Sequence, residues 1–205
     1  MPESPMRTDH ERGLPLKQHL RQGRYGAPLQ EGPGVRLSIR HPVSIATIIA
    51  RKDREPALSA ALEAHYGIAA PHPRRMTRGE MLDVQWCGDQ QYYAIAEGRR
   101  EGALTLELKS RLNGLASVSD QSHGRVIIQL SGPKVRAVLA KGSPVDFHHR
   151  EFPVGASVPT QMAHVGVHVS RPGEEAFELS LFRGFSEHFW EWLTEQAQEL
   201  GYEVV

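Results

Sequence analysis

The sequence predicts an α+β fold made of two consecutive βαββαβ units of the split βαβ, ferredoxin-like kind, preceded by an extended N-terminal arm. Three observations predict it. Apolar runs rich in β-branched residues alternate with segments of helical spacing, the order strand, helix, strand, strand, helix, strand is traversed twice, and Gly and Pro mark the boundaries. The chain divides on this reading into an arm, residues 1–36, a first α+β unit, residues 37–120, and a second, residues 121–205.

The arm holds five of the 14 prolines, with glycines among polar residues, and little that can bury surface. A short helix is expected around Leu16 to Arg21. Deleting Met1 to Gly32 is expected to leave the fold intact and to weaken assembly with a partner. In the first unit Val43 to Ala50 reads as a strand. Pro56 to Tyr66 follows as an amphipathic helix with Leu58, Ala61, Leu62 and His65 on one face. Met81 to Cys87 and Gln91 to Ala96 read as a hairpin across Gly88-Asp89-Gln90, then comes a helix from Gly102 to Leu115 and a strand from Leu115 to Ser119.

The second unit opens on strand Val126 to Leu130, broken by Ser131-Gly132-Pro133, and on a helix from Pro133 to Lys141. Pro133 fits the first helical position, and Gly142 fits the left-handed position past the end. Strands Met162 to Ser170 and Phe177 to Phe182, helix Ser186 to Leu200 and strand Tyr202 to Val205 complete it. The last helix carries Phe185, Phe189, Trp192, Leu193, Ala197 and Leu200 on one stripe, with Ser186 as its expected N-cap and Phe185 spaced to staple against Trp190. Trp190, at the edge of that stripe, is the expected partner contact on the helix.

Composition disfavours several classes. Lys plus Arg and Asp plus Glu both number 24, so no net charge draws the chain to nucleic acid or to a membrane surface. The single Cys87 makes no intrachain disulfide and no multi-thiolate metal site, which suits a reducing cytoplasm. No apolar run approaches the roughly 20 residues that span a bilayer.

The chemistry-bearing clusters are weak. His148 and His149 are adjacent, whereas two histidine ligands from one element need to share a face. His164 and His168 share a predicted strand face but would lie roughly 13 Å apart. Ala140-Lys141-Gly142-Ser143 has the wrong order for a phosphate loop, and Ser131-Gly132-Pro133 reads as a structural turn because Pro133 removes an anion-binding donor. Cys87 in a strand reads as an inert thiol. Asp120-Gln121-Ser122-His123 holds the residue types of a hydrolytic triad without the convergence a triad needs.

The run from Ser119 to His148 carries Asp120, Ser122, Gly132, Pro133, Leu139, Lys141, Gly142, Pro144, Asp146 and His148 in a spaced pattern. Downstream lie Phe152-Pro153-x-Gly155, Gln161-Met162-Ala163-His164-Val165, Arg183-Gly184-Phe185-Ser186 and Trp190-Glu191-Trp192-Leu193. This pattern resembles the γ subunit of heterotetrameric sarcosine oxidase. Trp86-Cys87-Gly88-Asp89-Gln90 matches the family's hairpin loosely, with Asp89 where Pro is expected. The resemblance implies an aminomethyltransferase-like fold and a cytoplasmic complex of α, β, γ and δ subunits. That complex oxidatively demethylates sarcosine to glycine, giving hydrogen peroxide and either formaldehyde or 5,10-methylenetetrahydrofolate. It implies FAD, FMN, NAD, zinc and tetrahydrofolate in the partner subunits, and no cofactor, metal or catalytic residue on this chain. The expected role is non-catalytic assembly with α as the main contact, and Asp146, His148 and Trp190 are the candidate contacts. The alternatives are the γ-like subunit of N-methylglutamate dehydrogenase and a stand-alone tetrahydrofolate-binding or aminomethyl-transferring protein. The stand-alone protein would hold the pterin with Asp120 or Asp146.

Overall fold

A computed structural model describes residues 13–27 and 32–205. Residues 1–12 and 28–31 of the predicted arm lie outside the described residues. The remainder of the arm contributes strands β1 (Gly23–Tyr25) and β2 (Val35–Ile39). The first unit follows as β3 (Val43–Ala50), α1 (Glu55–Tyr66), β4 (Met76–Arg78), β5 (Asp83–Gly88), β6 (Gln91–Glu97), α2 (Ala103–Arg111) and β7 (Ala116–Asp120). The second is β8 (Arg125–Ser131), α3 (Val135–Ala140), β9 (Ser157–Met162), β10 (Val165–Gly173), β11 (Ala176–Phe182), a 3-10 turn at Arg183–Phe185, α4 (Ser186–Ala197) and β12 (Tyr202–Val204).

The predicted α+β class and the doubled strand-helix order hold. The first sheet runs β4-β5-β6-β3-β7, which is the split βαβ order with β4 added at an edge. The second runs β1-β12-β2-β8-β11-β10-β9. Removing β1, β2 and β9 from it leaves the same order. Each unit thus adds one edge strand, β4 or β9, ahead of its central hairpin. The sequence reading contained neither as a separate strand.

Alternation along the strands decides what each sheet face touches. Ala46, Ile48, Val84 and Ala94 meet Leu58, Leu62, Leu104 and Leu108 of α1 and α2 in one core. Val126, Ile128, Leu130, Phe177 and Leu179 meet Val138, Leu139, Phe189 and Leu193 of α3 and α4 in another. The opposite faces turn toward each other, where Val43, Ile45 and Ile95 of the first sheet pack on Ile127 of the second.

Strand β2 departs most from the sequence reading, in which an arm ended at residue 36. It lies inside the second sheet, parallel to β12 and antiparallel to β8, in register Leu37↔Leu130 and Ile39↔Ile128. Val35 and Leu37 are fully buried, and burying two such side chains contributes roughly 1.5–3 kcal/mol each. The segment Val-Arg-Leu-Ser-Ile has the period-two alternation of a half-buried strand. β1 pairs in turn with β12. The predicted helix at Leu16 is instead a single turn closed by His19 N–H and Leu20 N–H donating to the Leu16 carbonyl, with Leu16 itself buried in the second core.

Three further elements differ. Met162 to Ser170 is not one strand, because β9 and β10 form a hairpin across Ala163-His164, both at positive φ. His tolerates that left-handed region better than most residues, so no Gly or Asn announces the turn. Helix α3 starts after Pro133, at Val135. Ser186 caps nothing at the start of α4, since its hydroxyl donates to the Arg183 carbonyl, and Phe185 is 54% exposed rather than stapled to Trp190.

Candidate docking surfaces

The two units meet along a polar seam. Arg40, just past β2, donates to Glu178 of β11, to Asp83 of β5 at 2.9 Å and to Glu97 of β6 at 2.9 Å. Arg40, Asp83 and Glu178 are all buried, while Glu97 is exposed. Burial opposes the Arg40 charge, but the three carboxylates outweigh it and hold the guanidinium above its ordinary pKa. Farther along, Gln85 donates to the Ser170 hydroxyl, and His168 Nε2 lies 2.9 Å from the Trp86 carbonyl and 3.2 Å from the Ser157 hydroxyl. Burial pushes the His168 pKa down from 6.5 to about 4, so its ring is neutral and Nε2 is the donor to Trp86. The outer edges are stitched by backbone bonds, Met76 N–H to the Gly155 carbonyl and Ser157 N–H to the Arg74 carbonyl. Arg125 stands at the other end. Its guanidinium lies between the Tyr93 and Phe182 rings, 4.5 and 4.6 Å from their centroids, and donates to Tyr93 Oη at 2.6 Å.

The clusters nominated from sequence resolve into local structure. Asp120 accepts from Ser122 N–H and from the Thr105 hydroxyl, Ser122 Oγ is tied to the Ile45 backbone, and His123 pairs with Glu101 at the surface. No triad forms from them. Burial pushes the Cys87 thiol up to about 11, with Arg125 and Tyr93 opposing, so it stays protonated at neutral pH. The Ser131-Gly132-Pro133 turn has no amides free for an anion. Gly132 N–H donates to the Glu175 carbonyl and Lys134 N–H to the Gly34 carbonyl. Gly132 sits at φ +117°, and a Cβ there would meet the Gly34 carbonyl oxygen at 2.6 Å. The glycine therefore serves the close passage of β2. His164 lies in the β9–β10 turn and His168 in the seam, which removes the shared strand face expected for them. No group of three or more His, Cys, Asp or Glu side chains is placed to hold a metal among the described residues.

Of the expected contact residues, Asp146 and His148 are exposed and Trp190 is not. Asp146 Oδ1 accepts from His148 N–H at 2.8 Å, and the His148 and His149 rings lie 4.1 Å apart. Between them Phe147 is buried, packed with Phe152 and Phe177. Trp190 is 4% exposed and belongs to the second core, which corrects its reading as a partner contact. On α4 it is the half-buried Trp192 that reaches the surface.

Three of the sequence motifs converge on one open groove of about 500 Å3. Lys141, Gly142 and Pro144 follow α3, Gln161, Ala163 and His164 form the β9–β10 turn, and His188 and Trp192 project from α4. Ala163 N–H donates to the Gly142 carbonyl, while Lys141 Nζ donates to the Gln196 carbonyl and pairs with Glu199. Gly142 is not in the left-handed region expected for a helix stop. A Cβ there would meet the Trp192 ring at 2.3 Å, so the glycine admits the indole. The groove combines an aromatic wall with hydrogen-bond donors and has no acidic lining residue.

The fold and these surfaces define a duplicated ferredoxin-like α+β chain with an open groove on its exterior and a polar seam that is internally bonded. Residues 51–199 match the family model described as sarcosine oxidase, gamma subunit family. The chain belongs to that family. It is 34% identical over 150 residues to the sarcosine oxidase subunit gamma of Corynebacterium sp. (strain P-1), covering 71% of this chain and 72% of that one. It is 35% identical over 144 residues to the same subunit from Arthrobacter sp, covering 68% and 70%. Among solved structures, a chain of the heterotetrameric sarcosine oxidase from Corynebacterium sp. U-96, in complex with pyrrole 2-carboxylate, superimposes with a TM-score of 0.73 at 28% identity, covering 86% of this chain and 88% of that one. The glycine cleavage system aminomethyltransferase T from Bartonella henselae superimposes at 0.64 and 18% identity, covering 83% of this chain and 47% of that one, a likeness of fold alone.

Proposed function

We propose that this chain is the γ subunit of a heterotetrameric sarcosine oxidase and that it acts in docking and assembly rather than in catalysis. The observation that carries the proposal is the near end-to-end superposition on a chain of such an assembly, covering 86% of this chain and 88% of that one. The site chemistry agrees with it. The buried polar groups of the seam are largely consumed by one another, and the motif residues line an open groove. On this reading the complex demethylates sarcosine to glycine in the cytoplasm, with hydrogen peroxide and formaldehyde or 5,10-methylenetetrahydrofolate as products. FAD, FMN, NAD, zinc and tetrahydrofolate sit in the partner subunits, and α is the main contact. Asp146 and His148, exposed on the loop anchored by Phe147, belong to the proposed contact surface.

Co-expression of the tagged chain with α, β and δ, followed by affinity capture, tests this. A stoichiometric four-chain complex oxidising sarcosine is the expected result. A chain that emerges alone and binds tetrahydrofolate tightly by calorimetry would establish the stand-alone alternative.

A further inference from the structure

A second surface lies at the mouth of the seam, away from the groove. Phe182 ends β11 and Phe185 closes the 3-10 turn before α4, and they are 51% and 54% exposed. Two exposed aromatics three residues apart across one 3-10 turn leave water-facing apolar surface that the isolated chain does not use. Two arginines adjoin them, Arg125 against the Phe182 ring and Arg183 between the two in sequence. A narrow cleft is lined by Arg40, Arg125 and Arg183 among apolar and neutral residues, and by no acidic residue. The seam carboxylates neutralise Arg40. Among the described residues Arg125 donates only to the neutral Tyr93 and Ser180, and the exposed Arg183 is engaged through its backbone. Neither Arg125 nor Arg183 forms an ion pair among the described residues. In a chain whose positive and negative side chains balance at 24 each, this is a local excess of positive charge beside exposed aromatic surface.

We propose that this mouth, formed by Phe182, Phe185, Arg125 and Arg183, docks a segment of a partner polypeptide that presents a carboxylate between apolar side chains. The cleft holds only about 10 Å3, roughly one water, so it encloses no metabolite and recognition takes place on its rim. Arg125 is already oriented by its two aromatic neighbours, and a fixed guanidinium loses little freedom when a carboxylate arrives. Phe and Arg are both enriched at protein interfaces, and Arg is among the residues that dominate their energy. The proposal rests on the subunit reading above and specifies one place and one chemistry for it.

The test uses the full-length chain co-expressed with its partner subunits. Arg183→Glu and Phe185→Ser alter exposed side chains, so each variant alone is expected to melt as the wild type does. Each is expected to lower recovery of the partner by about tenfold or more at moderate salt. An Arg183→Lys variant supplies an amine for zero-length carbodiimide coupling, and the cross-linked peptide is expected to carry an Asp or Glu of the partner chain. Full capture by both variants, or coupling to no partner carboxylate, overturns the docking proposal and leaves the subunit reading standing. Failure of the wild type to capture any partner removes both. A wild-type homodimer that Arg183→Glu disperses overturns the proposal in favour of a second copy as occupant.

Discussion

Gly142 shows how a residue can be legible for the wrong reason. Its place after a helical run reads as a left-handed stop, yet what requires glycine is the Trp192 ring lying where a Cβ would be. Gly142→Ala should therefore displace the indole rather than strain the backbone, costing about 1–3 kcal/mol and changing Trp192 fluorescence. An unchanged spectrum and melt would show that the ring has room to move. Phe147 and Trp190 teach the same lesson. Asp146 and His148 draw attention in the sequence because they are polar, but Phe147 between them is the residue that fixes the loop in the core. Trp190 and Trp192 are two apart on one helix, and which of them points outward depends on how α4 is rolled on its sheet, a tertiary fact that periodicity leaves open.

At the scale of elements, strands with strong β-branched runs were legible to within a residue or two. β3 spans Val43–Ala50 as expected, and β8 and β11 extend their predicted ranges only slightly. What escaped were elements whose signals are set by partners. β2 carries the right alternation but follows a Gly- and Pro-rich stretch, and only β8 and β12 on either side make it a central strand. The β9–β10 turn uses Ala163 and His164 at positive φ, so the usual turn residues are missing. The arm deletion now has a different expected outcome. Removing residues 1–32 strips β1 from β12 and Leu16 from the second core. The truncated chain should still unfold cooperatively but with stability lower by about 2–4 kcal/mol, read as a lower midpoint in calorimetry. A midpoint equal to that of the full chain would return the segment to the status of an appendage.

At the scale of the whole molecule, the two units are held by a seam that no single stretch of sequence displays. Arg40, Asp83, Glu97 and Glu178 come from four separate strands or their ends, and each alone reads as a surface charge. The seam gives the fold an acid sensitivity. His168 is neutral in the folded chain, with Arg125 adding to the burial that lowers its pKa from 6.5 to about 4, and its neighbours are the Trp86 carbonyl, the Ser157 hydroxyl and the Tyr93 ring. Because the unfolded chain takes up this proton first, the contribution is intact above pH 6.5 and drains away as pH falls toward 4. The loss is on the order of 3 kcal/mol. Urea midpoints measured across that window should fall for the wild type and fall less steeply for His168→Gln, and parallel curves would show that other groups carry the acid response. The placement of β2 has a further consequence, in time rather than in space. Residues 35–39 leave the ribosome early, but one of their two strand partners, Tyr202–Val204, is made long after them. That side of the second sheet closes only after β12 has been made, so β2 must wait, unpaired there, for a strand from the far end of the second unit.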